Sequence, residues 1–218
     1  MQSSIIPSLT STFESLFSVT LTDESSTIRD VLSQIDAKLF ASYVDPLARK
    51  LDGIVHAGVT SPGWVPESAR PNDARPYIYE VLLELVGVHA ETSTISTTLT
   101  TTVLKTLLER ISQSLIAAFQ TRARYTLPAL MQATLDVEFL AQTLNNYTTD
   151  KASEVQSGIY VSLDERTDND ARVRLQNELG EMRGVLKRLR QSTQGEFGCF
   201  KRMRSGGAGA SGRAPSRP

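Results

Sequence analysis

The side chains that most often carry enzyme chemistry are few in this sequence of 218 residues. Its histidines are His56 and His89, and its single cysteine is Cys199. One cysteine can form neither a disulfide within the chain nor a thiolate metal cluster, so a reducing, cytosolic setting is expected. A metal site or catalytic triad would have to be built almost entirely from carboxylates and hydroxyls.

The tripeptide His89-Ala90-Glu91 superficially resembles the H-x-E motif of zinc deaminases. That motif needs a partnering C-x-x-C, which one cysteine cannot supply. The apolar residues around His89 have helical spacing, and this spacing favours a half-buried helical histidine over a metal ligand.

Two carboxylates, Asp136 and Glu138, lie two positions apart in an apolar segment. Residues at this spacing point to different faces of a helix, so they cannot act together as an acid and base pair. We expect surface charges, or at most an interhelix salt bridge. Glycines at 206–212 neither follow a strand nor precede a Lys-Ser or Lys-Thr pair, so they are not a phosphate loop. We therefore expect no catalytic, cofactor-binding or metal-binding residues.

The composition is that of an ordinary globular protein, with 40% hydrophobic and 22% charged residues. The formal net charge is −1, although the tail carries basic residues without any acid: Lys201, Arg202, Arg204, Arg213 and Arg217. The remainder of the chain is therefore acidic, and this argues against nucleic acid as a partner. No stretch approaches the ~20 apolar residues that span a bilayer, so at most a peripheral membrane association is expected.

Apolar residues recur every three or four positions through most of the chain, which predicts an all-α fold of amphipathic helices. The broadest apolar faces lie between Tyr77 and Tyr147, so these segments are the predicted inner helices. Residues 1–57 are expected to form the helices of a first bundle. Residues 73–203 are expected to form a second helical bundle, and the basic tail at 204–218 is expected to be disordered.

Prolines mark two predicted interruptions. Because proline inside a helix costs roughly 3 kcal/mol, Pro46 predicts a break or kink at Asp45. Residues 58–72 are rich in proline and glycine and predict a loop. Trp64 lies in that loop, where a lone tryptophan is more often a packing anchor than a platform for a ligand.

Several helix starts and one helical seam can be read from the residues. Asp73 and Thr126 are predicted caps, and a serine or threonine of residues 92–98 is expected to cap the helix that follows. Near the end, five apolar residues step by four and three in the manner of a heptad seam: Leu175, Leu179, Met182, Leu186 and Leu189. At this length the seam is expected to dock onto a helix of the same chain rather than onto a partner chain.

Three stretches carry a family resemblance: LVGVHAETSTIS at 85–96, YTLPALMQATLDVEFLAQTLNNYTT at 125–149 and GEFGCFKR at 195–202. Their order and spacing resemble the carboxy-terminal region of exocyst complex component two, the "Sec five" subunit family of the vesicle-tethering exocyst, and fungal members fit best. Residues 30–46 and 77–85 are also similar. The resemblance thus covers almost everything before the tail.

The resemblance implies a rod segment of stacked antiparallel helical bundles, of the multisubunit vesicle-tether type. It implies no catalysis, but a cytoplasmic subunit that is recruited to the plasma membrane and tethers secretory vesicles there before fusion. The implied partners are the other exocyst subunits, together with small GTPases through regions that this chain lacks. Six residues match the family pattern and are expected to be packing and capping positions: His89, Glu91, Leu135, Glu138, Cys199 and Phe200.

Chains of this family are several times longer, and they include an amino-terminal coiled segment through which subunits pair. The resemblance therefore predicts that this sequence is a carboxy-terminal fragment and that Met1 is an internal methionine. An alternative from another class is a helical scaffold or regulator of a small GTPase, in which Arg122 or Arg124 would enter a nucleotide site. An enzyme is disfavoured by the two histidines and by the lack of paired carboxylates.

Overall fold

A computed structural model describes residues 2–17, 22–68 and 70–201. Over these ranges the fold is built from α-helices, which confirms the predicted all-α class. The helices are α1 (Gln2–Phe17), α2 (Thr22–Thr60), α3 (Pro76–Ser93), α4 (Thr97–Gln120), α5 (Leu127–Thr143), α6 (Asp150–Glu165) and α7 (Asn169–Ser192), with 3-10 turns at Asn145–Tyr147 and Gly198–Phe200. The basic tail at 204–218 lies outside the described residues.

The chain divides into two compact units, residues 1–50 and residues 51–218. In the first unit, the apolar faces predicted for both helices are present but stay largely exposed. The exposed fractions of their side chains are 46% or more for Leu9, Phe13, Leu16, Phe17, Ile28, Val31, Ile35 and Leu39. Periodicity therefore identified the helices correctly, whereas it does not tell whether an apolar face is covered.

Helix α2 runs without interruption past Pro46, so the predicted break at Asp45 is wrong. Proline removes one backbone hydrogen bond and strains the preceding turn. Buried side chains of the same helix lie on both sides of it: Val44 and Leu51 are each 2% exposed, and Val55 is fully buried. Because burying each such side chain contributes about 1.5–3 kcal/mol, their packing offsets the penalty of the proline.

The core of the second unit lies where the broad apolar faces predict it. Helix α4 packs against α3 and α6, while α5 packs against α7. Many large side chains of these helices are at most 1% exposed: Ile78, Val81, Leu82, Leu85, Leu104, Leu107, Leu108, Leu115 and Phe139. The prediction that the stretch from Tyr77 to Tyr147 forms the inner layer is therefore confirmed.

A close approach between α2 and α3 depends on a glycine. A Cβ placed on Gly58 would overlap the Cβ and Cγ atoms of Tyr77, whereas a Cβ on Gly53 of the same helix would meet nothing within 4 Å. Tyr77 is 4% exposed. The missing side chain at Gly58 thus lets α3 lie directly against the second-unit part of α2.

The helix starts agree with the sequence only in part. Ser96 caps α4 as predicted, because its hydroxyl accepts a hydrogen bond from the Thr98 amide at 3.2 Å. Thr126 precedes α5, but its side chain makes no capping hydrogen bond. Asp73 is not a cap, since α3 begins after Arg75. Its carboxylate instead accepts a hydrogen bond from a tyrosine hydroxyl at 2.6 Å.

The apolar seam of α7 docks within the chain, as predicted. Helix α7 packs against α5, and its seam residues Met182, Leu186 and Leu189 are 7–8% exposed. The helix is longer than its apolar seam, and its remaining surface is strongly charged. None of the described helices combines the length and the apolar character needed to cross a membrane.

Candidate interaction surface

The two histidines do not assemble a reactive site. His56 is exposed on α2, whereas His89 is half-buried on α3, as its helical spacing predicts. The His89 ring meets the Phe200 ring edge-on, with centroids 6.0 Å apart. Within the described ranges, no three His, Cys, Asp or Glu side chains are placed to hold a metal ion.

Phe200 is the buried residue of the 3-10 turn that follows α7. It is 1% exposed, and its ring also meets that of Tyr147 edge-on at 6.2 Å. The Asn146 amide donates a hydrogen bond to the Phe200 carbonyl at 2.9 Å. Next to it, burial raises the pKa of the half-buried Cys199 thiol, so the thiolate is disfavoured. His89, Cys199 and Phe200 thus share one packed cluster.

This cluster borders a cavity of about 390 Å³ at the start of α4. Its wall is mainly hydroxyl-bearing and basic: His89, Ser93, Thr97, Thr100, Thr101, Lys105, Asn146, Tyr147, Cys199 and Lys201. The remaining residues of the family pattern lie elsewhere. Leu135 is in the core at 1% exposure, Glu91 is exposed at the end of α3, and Glu138 is half-buried on α5.

Asp136 is the main departure from the sequence-based interpretation. The prediction of a surface charge is wrong, because Asp136 is completely buried. One carboxylate oxygen accepts from the Arg75 amide at 2.9 Å and from Gln132 Nε2 at 2.8 Å. The other oxygen accepts from the Tyr77 hydroxyl at 3.0 Å and from Trp64 Nε1 at 3.3 Å. Four donors therefore surround one carboxylate.

Burial and hydrogen bonding act on Asp136 in opposite directions. Desolvation raises the pKa of Asp136 from 3.8 to about 6, while the four donors oppose that rise. The buried carboxylate in turn helps to raise the pKa of Tyr77 well above its usual value, although burial of the phenol is the larger cause. The arrangement holds the 61–75 loop, α3 and α5 together. It leaves the carboxylate no open side for a substrate.

Trp64 is the anchor that its position in the loop predicts, with 2% of its surface exposed. Its ring packs at 5.8 Å from the ring of Phe119. The Arg122 guanidinium lies over the indole, 4.7 Å from the ring centroid, and donates to the Val59 carbonyl at 2.7 Å. Arg122 is thus engaged within the fold and is not free to enter the nucleotide site of a GTPase, whereas Arg124 is exposed.

A groove lies between α5 and α7, which we call the α5/α7 groove. One end is a cavity of about 290 Å³ lined by Thr134, Leu135, Glu138, Gln142, Leu179, Met182, Arg183 and Leu186. The other end is a cavity of about 350 Å³ lined by Gln142, Arg183, Leu186, Lys187, Arg190, Gln191, Gln194 and Lys201. The two cavities share Gln142, Arg183 and Leu186, so they form one continuous depression with an apolar end and a cationic end.

The seam residues of this groove were predictable from the sequence, but the groove itself was not. Leu179, Met182 and Leu186 were predicted as packing positions, and they do pack against α5. The pattern of cations that follows them along α7 was a usable signal, because Arg183, Lys187 and Arg190 repeat at intervals of four and three. That spacing places the three side chains on one helical face.

Comparison with known proteins gives the chain a family. A model of the Exocyst complex component Sec5 family matches residues 1–200. Exocyst complex component 2 of Homo sapiens is 30% identical over 122 residues, which cover 54% of this chain and 13% of the relative. The Drosophila melanogaster protein of the same name is 28% identical over 130 residues, which cover 58% of this chain and 14% of the relative.

The matched part is therefore about an eighth of the length of these relatives. No solved structure matches the chain. The family match extends over almost the whole sequence and includes the core of the second unit, the Asp136 cluster and the α5/α7 groove except Lys201. This chain belongs to the Exocyst complex component Sec5 family.

Proposed function

We propose that this chain is the carboxy-terminal part of a Sec5 subunit of the fungal type, and that its parent protein tethers secretory vesicles to the plasma membrane before fusion. The observation that carries the proposal is the family match over residues 1–200. The relatives are named as components of an exocyst complex. In this proposal the chain is a non-catalytic member of that complex.

The site geometry supports a structural role. Asp136 is enclosed by four donors, and Arg122 is held by Trp64 and a backbone carbonyl. Both groups would need freedom to take part in chemistry. In their observed setting they fix the positions of helices, which is what a rigid interaction module requires.

The proposed organisation is two helical bundles. Residues 1–50 supply helices to the first, and residues 51–201 form the second. Its partners are the other exocyst subunits, while small GTPases would bind the parent outside this chain. Membrane association is at most peripheral, at sites of polarised secretion.

Depletion of the parent protein in cells of its source organism tests the tethering role. We expect secretory vesicles to accumulate beneath the plasma membrane and secretion of a reporter enzyme to fall. The wild-type parent should restore both, whereas a parent lacking the segment that corresponds to residues 51–201 should not. Unchanged secretion after depletion would contradict the proposal.

A further inference from the structure

Among the described cations of α7, only those in the first half of the helix pair with acids, and Arg190 in the groove donates a hydrogen bond to the neutral side chain of Gln142 at 3.1 Å. In the first half of α7, Arg174 pairs with Asp170 at 3.2 Å, and Arg172 pairs with Asp164 at 3.4 Å. In the groove, Lys187 and Arg183 have no acidic partner among the described residues. The sequence of α7 has no acid after Glu181.

Three acids of α5 and α7 beside the groove are already engaged. Arg70 reaches Glu178 at 2.9 Å and Glu181 at 2.6 Å. Glu138, at the apolar end of the groove, accepts hydrogen bonds from Gln142 at 3.0 Å and from Tyr160 at 2.8 Å. These carboxylates are therefore paired with other side chains, and they do not neutralise the cationic end of the groove.

The helix dipole explains only part of this pattern. Cations are favoured in the last turn of a helix, and Arg190 is the basic residue of that turn. Arg183 and Lys187 lie earlier, where the dipole gives them little stabilisation. Ordinary solvation of a charged face is also a poor explanation, because Arg183, Lys187 and Arg190 all line one concave surface while Arg188 lies outside it.

The size and lining of the groove indicate the form of its occupant. It extends along α7 from Leu179 to Gln191, which corresponds to about 18 Å of helix, or a little over three turns, and reaches Gln194 just beyond the helix. A single phosphate group would contact only one end of such a surface. The apolar end, where Leu179 is half-buried and Met182 and Leu186 are each 7% exposed, would contribute nothing to binding a small anion. A helix with an apolar face and acidic flanks would use both ends.

We propose that the α5/α7 groove binds an acidic amphipathic helix of a partner protein. Leucine-like side chains of that helix lie against Leu179 and Met182, and its carboxylates pair with Arg183, Lys187 and Arg190. Charge complementarity sets the direction of the bound helix, with its acidic end toward Lys201. This inference rests on the groove alone and stands apart from the proposed tethering role.

The test uses the 218-residue chain and a fluorescent synthetic helix of about four turns, with leucines on one face and glutamates beside them. Fluorescence anisotropy at about 0.1 M salt, where surface charges still interact, measures the affinity. We expect saturable binding. Replacing the glutamates of the probe by glutamine, or its leucines by alanine, should weaken binding about tenfold or more, and these changes leave the protein untouched.

The neighbouring residues Lys187 and Arg188 provide a matched pair of variants. Lys187→Glu places an acid in the groove, whereas Arg188→Glu makes the same charge change just outside it. We expect K187E to weaken binding about tenfold and R188E to change it less than about twofold. Circular dichroism confirms that both variants keep their helical content.

Three results would overturn the inference. One is no binding of the probe, and another is equal weakening by K187E and R188E. The third comes from vesicles of phosphatidylserine and phosphatidylcholine. If the chain binds these vesicles, and both variants reduce that binding equally while the peptide stays unbound, the cations serve an anionic membrane instead of a helix. Retained peptide binding with a selective loss in K187E supports the groove.

Discussion

The indole Nε1 of Trp64 donates a hydrogen bond at 3.3 Å to the buried carboxylate of Asp136, a residue 72 positions later in the chain. This contact joins a proline-rich loop to the inner helix α5. Buried carboxylates are stable only where donors surround them. The fold therefore depends on a polar contact at the centre of a core that is otherwise aliphatic and aromatic.

Replacing Asp136 by asparagine should destabilise the second unit. The amide keeps one acceptor oxygen but turns its nitrogen toward two of the four donors, which lose their partner. We expect a loss of about 2–4 kcal/mol in the free energy of unfolding, measured by urea titration at pH 7. Glu154→Gln, on the exposed face of α6, is the matched control. It should change the free energy of unfolding by less than about 0.5 kcal/mol. Equal effects would contradict the assigned role.

Stability should also depend on pH through Asp136. Its pKa is about 6 in the folded chain and 3.8 when unperturbed, so the folded state binds the proton more readily. The stabilisation that this group gives to the folded state is fully present below pH ~4 and is lost as the pH rises toward and through 6. Over that pH range, the free energy of unfolding of the wild type should fall by about 3 kcal/mol relative to that of D136N. A parallel pH dependence of the two proteins would refute the assignment.

The glycines of α2 offer a test of helix packing. Gly58→Ala should destabilise the chain by about 1–3 kcal/mol, because its Cβ would overlap Tyr77. Gly53→Ala, in the same helix but with open space around it, should be neutral or should stabilise by up to about 1 kcal/mol. Thermal unfolding of both variants makes the comparison. A destabilising G53A together with a neutral G58A would show that α3 does not approach α2 at this point.

Arg122 is held within the fold, whereas Arg124 is exposed, so the two arginines should respond differently to substitution. Arg122→Ala removes the guanidinium over Trp64 and the hydrogen bond to Val59, and should lower stability by about 1–2 kcal/mol. Arg124→Ala should have little effect on unfolding.

A nucleotide hydrolysis assay with a panel of small GTPases should give the same rates with and without the chain. Stimulation by the wild type that R122A or R124A abolishes would instead support the GTPase-regulator alternative.

The helices themselves were predictable because apolar periodicity reports the faces that a helix can bury. The position of Trp64 as an anchor followed in the same way from its setting among prolines. Pro46 shows the limit of local rules, since burial of Val44 and Leu51 outweighs the penalty that the proline imposes. The exposed apolar faces of α1 were not predictable, because a periodic pattern carries no information about what lies against it.

Asp136 marks the boundary of what sequence reasoning can reach. A helix that is apolar nearly all round is buried, so the polar residues Gln132 and Asp136 on α5 could have been recognised as buried and in need of partners. Those partners were not predictable. Trp64 and the Arg75 amide reach the carboxylate only because the loop before α3 folds back onto α5, and that path depends on the whole packing arrangement.

Affinity purification of the tagged full-length parent from cells of its source organism tests the central claim most directly. Mass spectrometry of the purified material should find the other exocyst subunits enriched over a purification from untagged cells, and a parent carrying Asp136→Asn should recover less of them. Recovery of the parent with no enrichment of any exocyst subunit would contradict the account.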